Sequence, residues 1–101
     1  MTIVINQSKM GVTKGTPTEI FSFVNSTGST INLTQFLGEC NGFSLFFYKI
    51  NGVTQFRGRD RSFNIEEDIT NIELLNTQTV SVDAQHSENV TIDYNLALEY
   101  E

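Results

Sequence analysis

Strict alternation of apolar and polar residues runs through residues 90–100. The apolar members take every second position, and successive side chains of a β-strand point to opposite faces of a sheet. On a helix the same residues would scatter around the whole surface, so a helical interpretation fails. We therefore predict a long antiparallel strand with one buried face, against which the rest of the chain packs.

A second strong signal is the pair Asn51-Gly52, which stands between apolar segments at residues 43–50 and 53–57. Asn-Gly is favoured in a two-residue type I′ turn because both central residues take positive φ angles. We predict a tight hairpin in which Ile50 lies opposite Val53 and the two segments pair without interruption.

The register of this hairpin divides its apolar side chains between two faces. The face that we assign to the core contains Leu45, Phe47 and Phe56. The opposite face is also rich in aromatic residues and contains Phe46, Tyr48 and Ile50. Either a second sheet that includes residues 2–5 covers this face within the monomer, or the face meets another molecule.

Turn-forming residues divide the remaining chain into short segments. They predict a hairpin of residues 19–25 with residues 30–36, strands at residues 72–75 and 79–84, and loops at residues 7–17, 38–42 and 58–61. The sequence thus predicts one all-β domain over residues 1–101, an antiparallel β-sandwich of jelly-roll type with seven to nine short strands. In this domain we expect residues 1–18 to form an extended N-terminal arm and loop.

Composition narrows the classes of function. The chain has 101 residues, a net charge of −6 and a pI near 4.6. Nucleic-acid binding requires a basic face, so we expect no nucleic-acid partner. Residues 1–5 lack the pattern of a signal peptide, and the longest apolar run, residues 45–48, is far too short to cross a membrane. We therefore expect a protein made in the cytoplasm, with no membrane partner.

Few residues are candidates for catalysis or metal binding. Cys40 is the only cysteine, and its neighbour Glu39 disfavours a reactive thiolate. His86 is the only histidine, and beside Glu88 in a predicted turn we interpret it as a solvated side chain rather than a base. The acidic residues 66–68 lack the spacing of a calcium-binding loop. The sequence predicts no enzymatic activity, no cofactor and no metal.

The order of four segments suggests a family. Residues 20–28 read Ile-Phe-Ser-Phe-Val-Asn-Ser-Thr-Gly and a hairpin occupies the middle of the chain. Residues 80–84 read Val-Ser-Val-Asp-Ala, and a closing strand at residues 89–97 leads to the acidic Glu99. In this arrangement the chain resembles the small β-sandwich virion proteins of tailed bacteriophages, which decorate or cement capsids or serve as tail accessories.

The resemblance implies a non-enzymatic structural protein of a phage particle that stabilises the shell through many protein–protein contacts. Its partners would be capsid or tail proteins and further copies of itself, and its location would be the virion. Exposed aromatic side chains beside arginine are typical of such contacts. The residues that we expect at this interface are Phe46, Tyr48, Ile50, Arg57, Arg59 and Arg61.

Two alternatives stay open at this point. The arginine cluster either docks on an acidic surface or forms a solvated turn in which the arginines pair with Asp60. The domain is alternatively a carbohydrate-binding module of a receptor-binding fibre or a lectin, in which sugars stack on Phe46, Tyr48 or Tyr100. The absence of tryptophan counts against this alternative.

Overall fold

Antiparallel β-strands account for most of the chain. A computed structural model describes residues 2–64 and 72–101, and for Phe56 and residues 59–64 it describes the backbone alone. These residues contain no helix and form seven strands: β1 (Ile3–Val12), β2 (Thr18–Val24), β3 (Ile31–Ile50), β4 (Val53–Asn64), β5 (Ile72–Leu74), β6 (Thr79–Gln85) and β7 (Ile92–Tyr100). The predicted all-β antiparallel fold is confirmed. The strands are not all short, however, because β3 has 20 residues and β4 has 12.

Strand β3 pairs with four of the other six described strands. One of its edges pairs with β7 along residues 33–40 and with β6 along residues 45–50. The other edge pairs with β5 at residues 31–33 and with β4 at residues 37–39 and 44–50. The predicted loops at residues 38–42 and 58–61 are therefore wrong, because these residues continue β3 and β4. The predicted loop at residues 7–17 is shorter, since β1 extends to Val12.

The sheet is elongated and nearly barrel-shaped, which is compatible with a β-sandwich or a barrel-like fold. The strand order is β1-β7-β3-β6-β2, so β1 and β2 end this path, while β4 and β5 pair with β3 outside it. Buried apolar side chains from all the strands except β4, whose side chains are described only in part, fill the interior. The predicted buried face of the last strand is confirmed from Ile92 onwards, since the core contains Ile92, Tyr94, Leu96, Leu98 and Tyr100. The strand begins at Ile92 and not at residue 90, and Val90, which was predicted on the same face, is 67% exposed.

Gly42 permits a close approach where β3 changes partners. The register of the β3–β4 ladder shifts between Glu39 and Ser44, and the backbone here packs on the start of β7. A Cβ atom on residue 42 would lie 2.5 Å from the Ile92 Cδ1 and 3.0 Å from its Cγ1. The Ile92 side chain is fully buried and has little room to move. Glycine is thus needed here for packing inside a strand rather than for a turn.

Asn51 and Gly52 form the predicted turn between β3 and β4. Their φ angles of 49° and 80° have the positive sign that a type I′ turn requires. The predicted register holds for the first two pairs and then shifts by one residue. As a result, Phe47 lies opposite Arg57 and not opposite Phe56.

The two faces of this hairpin are the reverse of the prediction. Phe46 and Tyr48 lie in the core, because β6 presents the buried residues of its own alternating pattern opposite them. Leu45 and Phe47 point away from the core and are half-buried. The prediction that Leu45 and Phe47 line the core is therefore wrong. Both faces of β3 are apolar, so the neighbouring strand decides which face is buried.

The predicted hairpin of residues 19–25 with residues 30–36 is also wrong, since β2 pairs with β6 and not with β3. The connection after β2 is held instead by the buried side chain of Asn25. Its Nδ2 donates to the carbonyl oxygens of Ser29 and Leu74, at 2.8 Å each. Its Oδ1 accepts the backbone N–H of Thr27 at 3.1 Å. A fully satisfied amide thus joins this turn to the end of β5.

We expect Gly42→Ala to lower the free energy of unfolding, because the new methyl group overlaps Ile92 and overpacking costs about 1–3 kcal/mol. Ile92→Val removes the atom that would be closest. The cost of Gly42→Ala should therefore be smaller by about 1 kcal/mol in the Ile92→Val background. Urea denaturation of the four proteins measures this coupling. Additive effects would show that the two positions do not compete for space.

Two tyrosine hydroxyl groups lie in the core with different surroundings. The hydroxyl of Tyr94 lies 2.7 Å from the Oγ of the buried Ser44. The hydroxyl of Tyr48 has no hydrogen-bond partner among the described residues. Desolvation raises the pKa of both hydroxyl groups above the ordinary value of 10.0, and the bond to Ser44 opposes this shift at Tyr94. The folded chain therefore favours the protonated form of both tyrosines.

Tyr48→Phe should leave the free energy of unfolding at neutral pH unchanged or raise it, because the variant removes an unpaired buried hydroxyl. Tyr94→Phe should lower it by about 1 kcal/mol, because Ser44 loses its partner. Urea midpoints of the two variants measure the difference. A larger loss for Tyr48→Phe than for Tyr94→Phe would contradict the assignment.

The raised tyrosine pKa values also predict that the free energy of unfolding changes at alkaline pH. Because folding raises both tyrosine pKa values, the stability that they contribute is present below about pH 10 and is lost as pH rises further. Tyr48→Phe should therefore lose less stability than the wild type between neutral pH and about pH 11. Urea midpoints across this range provide the measurement, and equal losses would exclude Tyr48 as a source of the pH dependence.

Candidate functional site

The structure separates the residues that the sequence grouped into one interface. Phe46 and Tyr48 are each only 2% exposed, and Ile50 is partly buried against the core. The prediction that these three side chains share an exposed face is wrong. Tyr100 is 7% exposed, so the three aromatic residues predicted for sugar stacking are all buried.

The outer surface of β3 carries a different apolar group beside an arginine. We call this group, which consists of Phe43, Leu45, Phe47 and Arg57, the outer patch. Phe43 is 46% exposed, and Arg57 is exposed as well. The guanidinium carbon of Arg57 lies 5.9 Å from the centroid of the Phe47 ring, which is within the range of a cation–π contact. The outer patch therefore has the composition that the sequence predicted for the opposite face.

Alternation along β3 places the apolar side chains of the outer patch. From residue 43 onwards the odd-numbered side chains are exposed or half-buried, and Ser44, Phe46 and Tyr48 are buried. Sequence reasoning missed Phe43 and Leu45 because the apolar pattern of this segment is continuous. The alternating pattern of β6 was the signal that could have found them, since its buried face must match the buried face of β3.

The other two arginines lie in β4 and not in a turn. Arg59 lies opposite Leu45 in the ladder, and Arg61 lies two positions further along β4. Only the backbone of these two residues is described. The candidate calcium ligands at residues 66–68 lie outside the described residues.

A surface depression of about 280 Å³ adjoins the outer patch. It lies between β3 and the end of β6 and is lined by Phe43, Ser44, Leu45, Gln85, His86 and Ser87. Phe43 and Leu45 belong to both features. The outer patch therefore continues into a concave surface rather than ending at a flat one.

His86 is 5% exposed, so the prediction of a solvated histidine is wrong. Its Nε2 lies 2.7 Å from the carbonyl oxygen of Val12, and its Nδ1 accepts the backbone N–H of Glu88 at 3.2 Å. This pair of bonds fits a neutral ring with its proton on Nε2. Backbone groups occupy both ring nitrogens, so His86 fastens the end of β1 to the connection between β6 and β7.

Cys40 is half-buried within β3, where its Sγ donates to the carbonyl oxygen of Gly42 at 2.9 Å. This bond engages the protonated thiol rather than a thiolate. Within the described ranges, no group of three His, Cys, Asp or Glu residues is placed to hold a metal ion. The geometry gives both Cys40 and His86 structural roles.

Comparisons with known proteins do not assign the chain to a family. No family model matches the sequence, and no curated protein matches it significantly. Among the residues that the structure describes, no helix is long and apolar enough to cross a membrane. The outer patch is thus the candidate functional surface of the described residues.

His86→Leu should lower the free energy of unfolding by about 1–3 kcal/mol, because Val12 loses a donor and Glu88 loses an acceptor. His86→Gln keeps an amide donor within reach of Val12 and should cost less. Glu88→Ala retains the backbone N–H and serves as a control with little expected effect. Urea denaturation compares the three variants, and equal costs for the leucine and glutamine variants would exclude the bond to Val12 as the main contribution.

Proposed function

We propose that the chain is a non-enzymatic structural protein that acts through protein–protein contacts of the outer patch. The observation that carries this proposal is the exposed Phe43 on the same face of β3 as the Phe47 ring, which Arg57 contacts. Aromatic and arginine side chains are enriched at protein interfaces, and they supply much of the binding energy there. Ladder pairs with the neighbouring strands hold the backbone of Leu45, Phe47 and Arg57, so little backbone ordering is needed there on binding.

The charge at the outer patch indicates the kind of surface that it contacts. Arg57 is a cation on a chain with a net charge of −6. Its contact with the Phe47 ring orients the guanidinium group while its N–H donors stay available to carboxylate oxygens. We therefore propose that the partner surface presents an apolar pocket for Phe43 and an acidic side chain for Arg57.

The resemblance to small virion proteins of tailed bacteriophages supplies a setting for this contact. We propose that the chain is a capsid decoration or cement protein, made in the host cytoplasm and present in many copies in the virion. Its partners are then capsid or tail proteins and neighbouring copies of itself. In such an assembly each contact can be weak, because simultaneous contacts between many copies raise the overall affinity.

Co-sedimentation with phage particles prepared without the protein tests this proposal. The wild type should sediment with the particles at physiological salt, and Phe43→Ser and Arg57→Glu should each weaken attachment by about tenfold or more. Val90→Ser and Lys9→Glu are matched controls, since Val90 is 67% exposed and Lys9 lies exposed on β1, outside the outer patch. Both controls should attach like the wild type.

Circular dichroism and urea midpoints should first establish that every variant is folded. Wild-type attachment by both the Phe43→Ser and Arg57→Glu variants would then exclude the outer patch from the interface. Failure of the wild type to attach would reject the capsid role itself.

A further inference from the structure

Strand β1 is the least buried of the long strands whose side chains are described throughout. Among its ten residues only Val12 is buried, and Ile3, Val4 and Met10 are exposed apolar side chains. Its hydrogen-bonded ladder is formed with β7 alone. An exposed strand at the end of a sheet is a site at which another chain can pair.

The opposite edge of β1 faces β2, and the Gln7 side chain forms hydrogen bonds between the two strands. The Gln7 Nε2 donates to the Ser22 carbonyl oxygen at 2.6 Å, and the Gln7 Oε1 accepts the Ser22 N–H at 3.1 Å. The glutamine amide thus occupies both backbone groups that a paired strand would satisfy. Five residues connect the end of β1 to the start of β2, and the two strands share no ladder.

Charge separates the first 18 residues from the rest of the chain. These residues contain Lys9 and Lys14 and no acidic residue, whereas all twelve acidic and four of the six basic residues follow. Within β1 the charged residue is Lys9, and the Gly11 N–H donates to the Asp93 Oδ1 at 2.8 Å. The first 18 residues are therefore complementary in charge to the acidic body of any copy of the chain.

The connection between β1 and β2 can change its path at little cost. Residues 13–17 are all exposed, and they contain Gly15 and the only proline. The bonds that hold this connection to the body include Gly15 N to the His86 carbonyl at 3.3 Å and Lys14 Nζ to the Asn89 Oδ1 at 2.7 Å. The second of these bonds is exposed and is replaceable by water.

We propose that β1 exchanges between two copies of the chain, so that β1 of each copy pairs with β7 of the other. The exchanged strand re-forms the complete ladder with β7, the amide contact of Gln7 and the bond from His86 to Val12. Only the exposed connection has to open, so a domain-swapped dimer retains nearly every contact of the monomer. This inference concerns the isolated protein in solution and does not depend on the outer patch or on a capsid.

A pair of introduced cysteines tests the exchange directly. Ser8 and Asn95 are ladder partners on β1 and β7 whose side chains are exposed and 2.7 Å apart between Oγ and Oδ1. Antiparallel partners lie within the Cα separation that a disulfide accepts. We would combine Ser8→Cys with Asn95→Cys in a Cys40→Ser background, refold the chain at increasing concentrations, oxidise it and run non-reducing gels. The fraction of covalent dimer should rise with concentration.

The control is Ser22→Cys with Ser81→Cys in the same background, because this pair joins β2 to β6 and is not moved by the exchange. It should give monomers at every concentration, while gel filtration shows dimers at high concentration. Monomers at every concentration for the Ser8–Asn95 pair would overturn the proposal. An equal fraction of covalent dimer from both cysteine pairs would also overturn it, because the exchange would then not be confined to β1.

Discussion

Backbone hydrogen bonding along both edges of β3 is the constraint on which the other strands depend. A buried peptide group without a partner is costly, and β3 runs through the core for 20 residues. Two strands in succession satisfy one edge, and β4 and β5 satisfy the other. The place where β7 gives way to β6 is also the place where the β3–β4 register shifts and where Gly42 packs on Ile92. The register shift between Glu39 and Ser44 thus lies where β3 changes its partner from β7 to β6.

The sequence predicts the structure correctly where a residue pattern is compatible with only one local structure. The alternation that ends at Tyr100 leaves a single face to bury, and Asn51-Gly52 leaves a single turn type. The sequence does not predict which of Phe46 and Phe47 faces the core, because adjacent aromatic residues make both faces of the strand apolar. The identity of the neighbouring strand decides between them, and this is a property of the topology rather than of the local sequence.

Similar reasoning explains the errors in the loops and at His86. The glycines in residues 38–42 resemble turn residues, but both lie within β3, and Gly42 permits a close approach to Ile92. The polar residues around His86 indicate a turn correctly, yet they do not show that the carbonyl oxygen of Val12 lies within hydrogen-bond distance of its ring. Long-range contacts of this kind have no signature in a short window of sequence. The outer patch was missed for the same reason, although its composition of aromatic side chains beside arginine was anticipated.

The position of β7 between β1 and β3 also governs the order in which the chain can fold. Leu96 pairs with both Gln7 and Gly38, so the two ladders of β7 join segments that lie far apart in sequence. Closing such large loops costs chain entropy before the ladders contribute, which slows folding. During synthesis the ribosome delivers β1 and β3 well before β7, and through this interval their edges lack the strand that completes them. The aromatic residues of β3 thus depend on the last strand of the sheet for their burial, and the nascent chain is most open to wrong pairings before that strand arrives.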